Sequence, residues 1–162
     1  YKVLMRVHTY HFFNWNEGPT EIFELVSEEL EVYETLCEQD PSKILHNTCA
    51  DDMVARLQVH HYPRGGGHTQ MHTDPTTLVK VAWVMMRTKQ VEKYQSGVLY
   101  VLYIFSNKFY PENTLDVGVG DSIVFYPAML HGVVPVDAGG ELEWESDSGR
   151  WNLIFNNLPV AK

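Results

Sequence analysis

At 162 residues, with 44% hydrophobic and 12% aromatic side chains, the chain is long enough to bury one core and is too apolar to stay disordered. Its net charge of −9 comes from 21 acids against 12 lysines and arginines. Nine of the acids lie between Glu17 and Asp40, the other twelve cancel the bases, and no basic stripe for a nucleic-acid backbone results. No apolar run is long enough to span a bilayer, and no secretory signal pattern opens the chain. Two cysteines, Cys37 and Cys49, make no disulfide framework and no CxxC spacing; ordinary packing in a reducing, cytoplasmic setting suits them. Opening on Tyr1 rather than Met suits a trimmed sequence, and any targeting segment would have gone with the missing start. A single domain is expected, with residues 1–50 as a supporting strand and helix and 51–162 as the functional core.

Residues 2–13 are rich in β-branched and aromatic side chains and predict an opening strand, broken by Gly18-Pro19. From Thr20 to Glu38 the residues Ile22, Val26, Leu30, Tyr33 and Cys37 recur at intervals of three or four, an amphipathic helix with its apolar stripe opposite the glutamates. Asp40-Pro41-Ser42 ends it, because the residue before a proline is pushed out of the helical region. The acidic face is expected to be solvated. Beyond residue 50 the pattern predicts short strands at 54–62, 78–87, 97–105, 114–119, 121–127, 131–136, 141–145 and 150–157. Turn residues separate them at Pro63 to Gly67, Ser106-Asn107, Pro111 to Asn113, Gly120-Asp121, Gly139-Gly140 and Ser146 to Gly149. About eight strands after one helix predict a mainly β sandwich or barrel with the helix on an outer face.

Four of the eight histidines fall between His60 and Pro75. In extended chain, residues i and i+2 share a face, so His72 and Asp74 present an imidazole and a carboxylate together. His131 follows a polar turn and an apolar strand, and is expected to meet the pair from across a barrel. Two histidines and one carboxylate occupy one face of an octahedral metal and leave positions open, as oxygen-activating ferrous iron requires; by ligand type alone zinc also fits. Arg150 opens the last apolar strand, where alternation puts Arg150 and Asn152 on one face and Trp151, Leu153 and Phe155 on the other. An arginine directed into an interior calls for an anion, and its planar fork matches a carboxylate.

The order HxD, GD-strand-HGV and R-x-N resembles the iron(II)/2-oxoglutarate-dependent dioxygenases, in particular the prolyl-hydroxylase-like branch, from about Val54 to Pro159. The resemblance implies a double-stranded β-helix, a cupin-like jelly roll, with Fe(II) on His72, Asp74 and His131. It also implies that Arg150 holds the distal carboxylate of 2-oxoglutarate and that Tyr62 donates a hydrogen bond to it, with Asn152 standing where many relatives carry a serine. The loop 139–149 lengthens the usual interval between the histidine and the arginine. Retention of Asp74 disfavours halogenation, whose practitioners in the superfamily give up the carboxylate. The implied reaction consumes 2-oxoglutarate and O2, releases succinate and CO2, hydroxylates the substrate, and takes ascorbate as a stimulant.

A small molecule, an amino acid or natural-product intermediate, is placed ahead of a peptide or protein side chain as substrate, with no nucleic-acid or membrane partner. Arg64, Gln70 and Trp83 are named as substrate contacts, each with a structural role as the competing reading. His60, His61 and His68 are left out of the metal site. Gly65-Gly66-Gly67 is a flexible turn rather than a phosphate cradle, since no GK[ST] follows. Two rivals remain at this point: a non-catalytic cupin-like metal-binding domain, and a metal-dependent oxygenase that does not use 2-oxoglutarate.

Overall fold

The computed structural model describes residues 2–16, 21–42, 53–77, 79–88, 92–103, 108–111 and 117–159. Its elements are β1 (Met5–Arg6), β2 (His8–Phe12), α1 (Glu21–Leu25), α2 (Ser27–Leu36), β3 (Met53–Pro63), β4 (His68–His72) and β5 (Ala82–Met86). They continue with β6 (Leu99–Tyr103), β7 (Lys108–Pro111), β8 (Ser122–Phe125), β9 (Leu130–Val133) and β10 (Gly149–Pro159). Two five-stranded antiparallel sheets result, ordered β1-β4-β9-β6-β7 and β2-β3-β10-β5-β8. Consecutive strands cross from one sheet to the other, the β3-to-β4 and β8-to-β9 connections among them. This is the jelly-roll arrangement of a double-stranded β-helix.

The longest pairing joins β3 to β10 in continuous register from Gly149↔Pro63 to Pro159↔Met53. Alternation along it sorts side chains between two cores. Ala55, Leu57, Leu153 and Phe155 pack outward against Phe23, Val26, Leu30, Tyr33 and Cys37 of the helices. The opposite face, between the sheets, carries Tyr62 with Val84, Met86, Tyr94, Leu99, Val133 and Val136. Gly149 makes the start of β10 possible: its φ is +132°, and a Cβ there would stand 2.2 Å from the Tyr62 carbonyl oxygen.

Several expectations need correction. The helix is broken at Val26, whose φ of −126° and ψ of 23° are not helical and which has no side-chain cap. The break lets Val26 stay buried while Phe23 turns into the core and Ile22 moves to its margin. Glu34 is not on the solvated face. One turn from Leu30 and one short of Cys37, it is 1% exposed and accepts a hydrogen bond from Asn157 Nδ2 at 2.5 Å.

The expected strand at 141–145 is an exposed loop; Leu142 and Trp144 are each 39% exposed, and the Glu143 amide donates to the Arg64 carbonyl at 3.0 Å. Trp144 lies on the His8 ring at a centroid distance of 3.9 Å, which ties this loop down without a sheet partner. Residues 117–119 form no strand, and 114–116 lie outside the described residues. The turn expected at Ser106-Asn107 also lies outside them, as does Cys49, whereas Pro111 belongs to β7 rather than to a turn. No helix among the described residues is long and apolar enough to cross a membrane.

Candidate metal centre

His72 closes β4 and His131 follows Leu130 at the start of β9, and the two are direct cross-strand partners. Asp74 lies two residues beyond β4, where its amide donates to the Pro127 carbonyl at 3.0 Å and so holds it against the turn that leads into β9. That turn is closed by the Met129 amide donating to the Tyr126 carbonyl at 2.9 Å. His131 therefore reaches the pair from the neighbouring strand of the same sheet, and not from across the barrel. Gly132 permits the close approach, since a Cβ there would stand 2.8 Å from the Thr69 carbonyl oxygen and 2.6 Å from the Tyr100 hydroxyl.

One donor atom from each of His72, Asp74 and His131 lies within 4.8 Å of the other two. His72 Nε2 is 3.7 Å from Asp74 Oδ1, and His131 Nε2 is 3.5 Å from Asp74 Oδ2. The opposite ring nitrogens are engaged: His72 Nδ1 donates to the Gln70 carbonyl at 2.9 Å, and His131 Nδ1 to the Met129 carbonyl at 2.8 Å. With the proton on Nδ1, each imidazole turns an unprotonated Nε2 toward the common centre, the tautomer a metal ligand needs. Phe125 packs edge-on against His131 at 4.8 Å between centroids and fixes its ring.

Burial holds His72 below its ordinary range, and the charge of His131 adds to that, against the opposing pull of the Gln70 carbonyl and Asp74. Burial raises the Asp74 carboxyl, but the hydrogen bond and charge of His131, with the charge of His72, outweigh it and leave it below the usual carboxylate range. Two imidazoles and a carboxylate are the donor set of a facial two-histidine, one-carboxylate centre.

The three residues open onto a cavity of about 270 Å³ between the sheets. Tyr62 and Asn152 line it. The Tyr62 hydroxyl accepts from Thr69 Oγ1 at 3.3 Å and meets His60 Nδ1 at the same distance, while Asn152 Oδ1 is buried with no hydrogen-bond partner. Arg150 is fully buried and pairs with Tyr62 in the β3/β10 register. Its guanidinium reaches the Tyr94 hydroxyl at 3.5 Å and the Met86 sulfur at 3.4 Å, one layer behind the cavity wall.

The sequence-named substrate contacts divide. Trp83 borders the cavity, yet it belongs to the helix-facing core beside Tyr33 and Phe155 and donates from Nε1 to Ser122 Oγ at 2.7 Å. Gln70 is exposed on β4 and accepts from the Leu4 amide at 3.2 Å. Arg64 stands in the turn after β3, paired with Asp137 at 2.8 Å and Glu143 at 3.9 Å, away from the metal ligands. His61 stacks on Trp151 at 4.1 Å on the outer face, and His68 bonds the Gly66 carbonyl through Nδ1 at 2.9 Å. His60, set aside in the sequence, lines the cavity, as do Arg56, Gln58 and Asn156. Period-two alternation back from Tyr62 and onward from Asn152 would have found all four.

No family model matches the chain, and no curated protein does. Among solved structures it is similar to a Pseudomonas putida prolyl-4-hydroxylase, at a TM-score of 0.59 and 11% identity over 98% of this chain and 74% of that one. It is also similar to a Trichoplax adhaerens prolyl hydroxylase in complex with a hypoxia-inducible-factor oxygen-degradation-domain peptide fragment. There the TM-score is 0.60 and the identity 15%, over 96% of this chain and 64% of that one, so this chain spans less than two thirds of that relative. In fold the chain is prolyl-hydroxylase-like.

Proposed function

We propose that the chain is an iron(II)- and 2-oxoglutarate-dependent dioxygenase that hydroxylates a small organic molecule. The observation that carries the proposal is the convergence of His72, Asp74 and His131 with both Nδ1 atoms tied to backbone carbonyls. These residues would hold ferrous iron on one face and leave the cavity side open. Tyr62 and Asn152 in the cavity wall, with Arg150 in the layer behind them, would bind the distal carboxylate of 2-oxoglutarate at their end of the cavity; the unpartnered, buried Asn152 Oδ1 in the wall supports a polar ligand there. With its amide turned over, Asn152 offers an N–H to that carboxylate.

When bound, iron with 2-oxoglutarate and O2 would supply oxidation of a C–H bond coupled to decarboxylation, one oxygen atom entering succinate and the other the product. The chain's own part is to orient. Asp74 and the two imidazoles fix the metal, Phe125 holds His131 in place, and the largely apolar walls exclude water from the reacting centre. Ascorbate is expected to stimulate by keeping the iron reduced. The cavity volume, near the lower end for small-ligand sites, supports a small-molecule substrate. A second reading is a side chain of a peptide entering the same cavity, favoured by the peptide in the Trichoplax neighbour.

The test is succinate release from 2-oxoglutarate by the purified protein without added substrate. Slow release that requires ferrous iron and O2, and that disappears in His131→Ala, is expected. Release indifferent to a metal chelator overturns the proposal.

A further inference from the structure

Within the cavity stands a cation that the metal centre does not use. Arg56, near the start of β3, lines the same cavity as His72, Asp74 and His131. The β3/β10 register places it opposite Asn156, at the far end from Tyr62 and Arg150. The Tyr62 hydroxyl meets Thr69, three residues before His72 on β4, and His131 packs on Phe125, whose partner Ala82 follows the Phe155↔Trp83 pairing, so the metal ligands lie toward the Arg56 end. Arg150 is fully buried and Arg56 only half-buried, so among the described residues the Arg56 end is the more exposed one.

The guanidinium is poorly satisfied there. Its Nη2 donates to Gln58 Oε1 at 3.2 Å, an oxygen that also accepts from Asn156 Nδ2. Its Nε is buried and has no hydrogen-bond partner. No ion pair among the described residues includes it. The groups beside it bring no negative charge: His11 on β2 bonds Gln58 at 3.4 Å, and His60 lies two residues along β3. Burial first, then the charges of His11 and Arg56, push His60 down to about 4, so the cluster holds one fixed positive charge beside two imidazoles. In a chain of net charge −9, a half-buried cation with no carboxylate partner among the described residues carries a desolvation cost that an anionic ligand would relieve.

We propose that Arg56 is a specificity-determining residue that binds a carboxylate of the substrate at the more exposed end of the cavity, with the substrate's apolar body against Phe125 and Ile154. The assignment rests on the oxygenase reading above and deepens it: the substrate is a small carboxylic acid held across the metal from 2-oxoglutarate. The fork of Arg56 offers a carboxylate two parallel hydrogen bonds, which a neutral amide cannot match.

The test uses the protein loaded with Mn(II) and saturated with 2-oxoglutarate, with benzoate and benzamide as probes, reading paramagnetic relaxation of the probe's ring protons by NMR. Benzoate should be relaxed saturably and bind at least about tenfold more tightly than benzamide, as expected where the anion meets a guanidinium fork. Arg56→Gln should erase that preference and leave manganese and 2-oxoglutarate affinities unchanged. Arg56→Lys, which keeps the charge but loses the fork, should fall between them and decides the matter if the glutamine variant does not fold. Failure of benzoate to bind, equal binding of both probes by the wild type, or an undiminished preference in the folded variant overturns the proposal. A wild-type chain that takes up no manganese, followed by its electron-spin signal, overturns the oxygenase reading and this assignment with it.

Discussion

His72 and His131 face one another as cross-strand partners, their ring centroids 4.3 Å apart, and each donates a hydrogen bond from Nδ1 to a backbone carbonyl two residues earlier in its own chain segment. The same local bond is thus made twice on adjacent strands. It sets both tautomers from the backbone.

Asp74 supplies the only carboxylate of the three residues, between the two Nε2 atoms. Asp74→Ala should lower Fe(II) affinity by more than the roughly 10–100-fold that loss of an outer hydrogen-bond partner costs a metal site. It should also abolish succinate release. Calorimetric titration with ferrous iron under argon checks the first, and a variant with wild-type affinity would remove Asp74 from the centre.

Much of this was legible in the sequence. The strands expected at 54–62 and 150–157 match β3 and β10 to within two residues at every end, because alternating apolar residues are bounded there by turn signals. The spacing of His72 and Asp74 and the polar turn before His131 also survive into the geometry. Segment 141–145 misled because Glu141, Glu143 and Glu145 alternate with Leu142 and Trp144. Alternation describes a strand only where a neighbouring strand accepts its hydrogen bonds, and this segment has none. β4 was missed as a strand because His68–His72 is polar, its regularity coming from pairing with β1 and β9. Arg56 was passed over although it keeps the phase of Tyr62, since a charged residue on a strand suggests solvent until the opposite face is seen to be filled by Leu57 and Ala55.

Glu34 makes stability depend on pH in an unusual direction. Burial raises its carboxyl from 4.5 to about 7, against the lowering effect of the Asn157 hydrogen bond. Between these values the folded protein holds a proton that the unfolded chain has released. Its stabilising contribution is therefore complete below the unfolded value and is lost as pH rises through about 7. Glu34→Gln should flatten this slope and leave the variant more stable than wild type at pH 8, by ~3 kcal/mol at most. Urea denaturation of metal-free protein at pH 5 and pH 8 measures it; a wild type that gains stability across that interval, with the variant unchanged, contradicts it.

Gly149 sets the position of Arg150. An alanine there combines a φ of +132° with a Cβ 2.2 Å from the Tyr62 carbonyl oxygen. The backbone strain alone should cost about 1–3 kcal/mol, and separation of β10 from β3 should move Arg150 and Tyr62 apart. Gly149→Ala is expected to lower the melting temperature and to weaken 2-oxoglutarate binding while sparing ferrous iron. An unchanged melting temperature would show that the contact is relieved without cost.

The measurement that bears most directly on the function is the anaerobic visible spectrum of the protein with ferrous iron, before and after 2-oxoglutarate, for the wild type and Arg150→Ala. It requires no knowledge of the substrate. A new charge-transfer band in the wild type, weakened in the variant while iron binding is retained, is the result expected if His72, Asp74 and His131 hold iron and Arg150 holds the co-substrate. Bound iron without any such band would contradict the use of 2-oxoglutarate, and failure to bind iron would leave the fold as that of a metal-free or differently loaded jelly-roll domain.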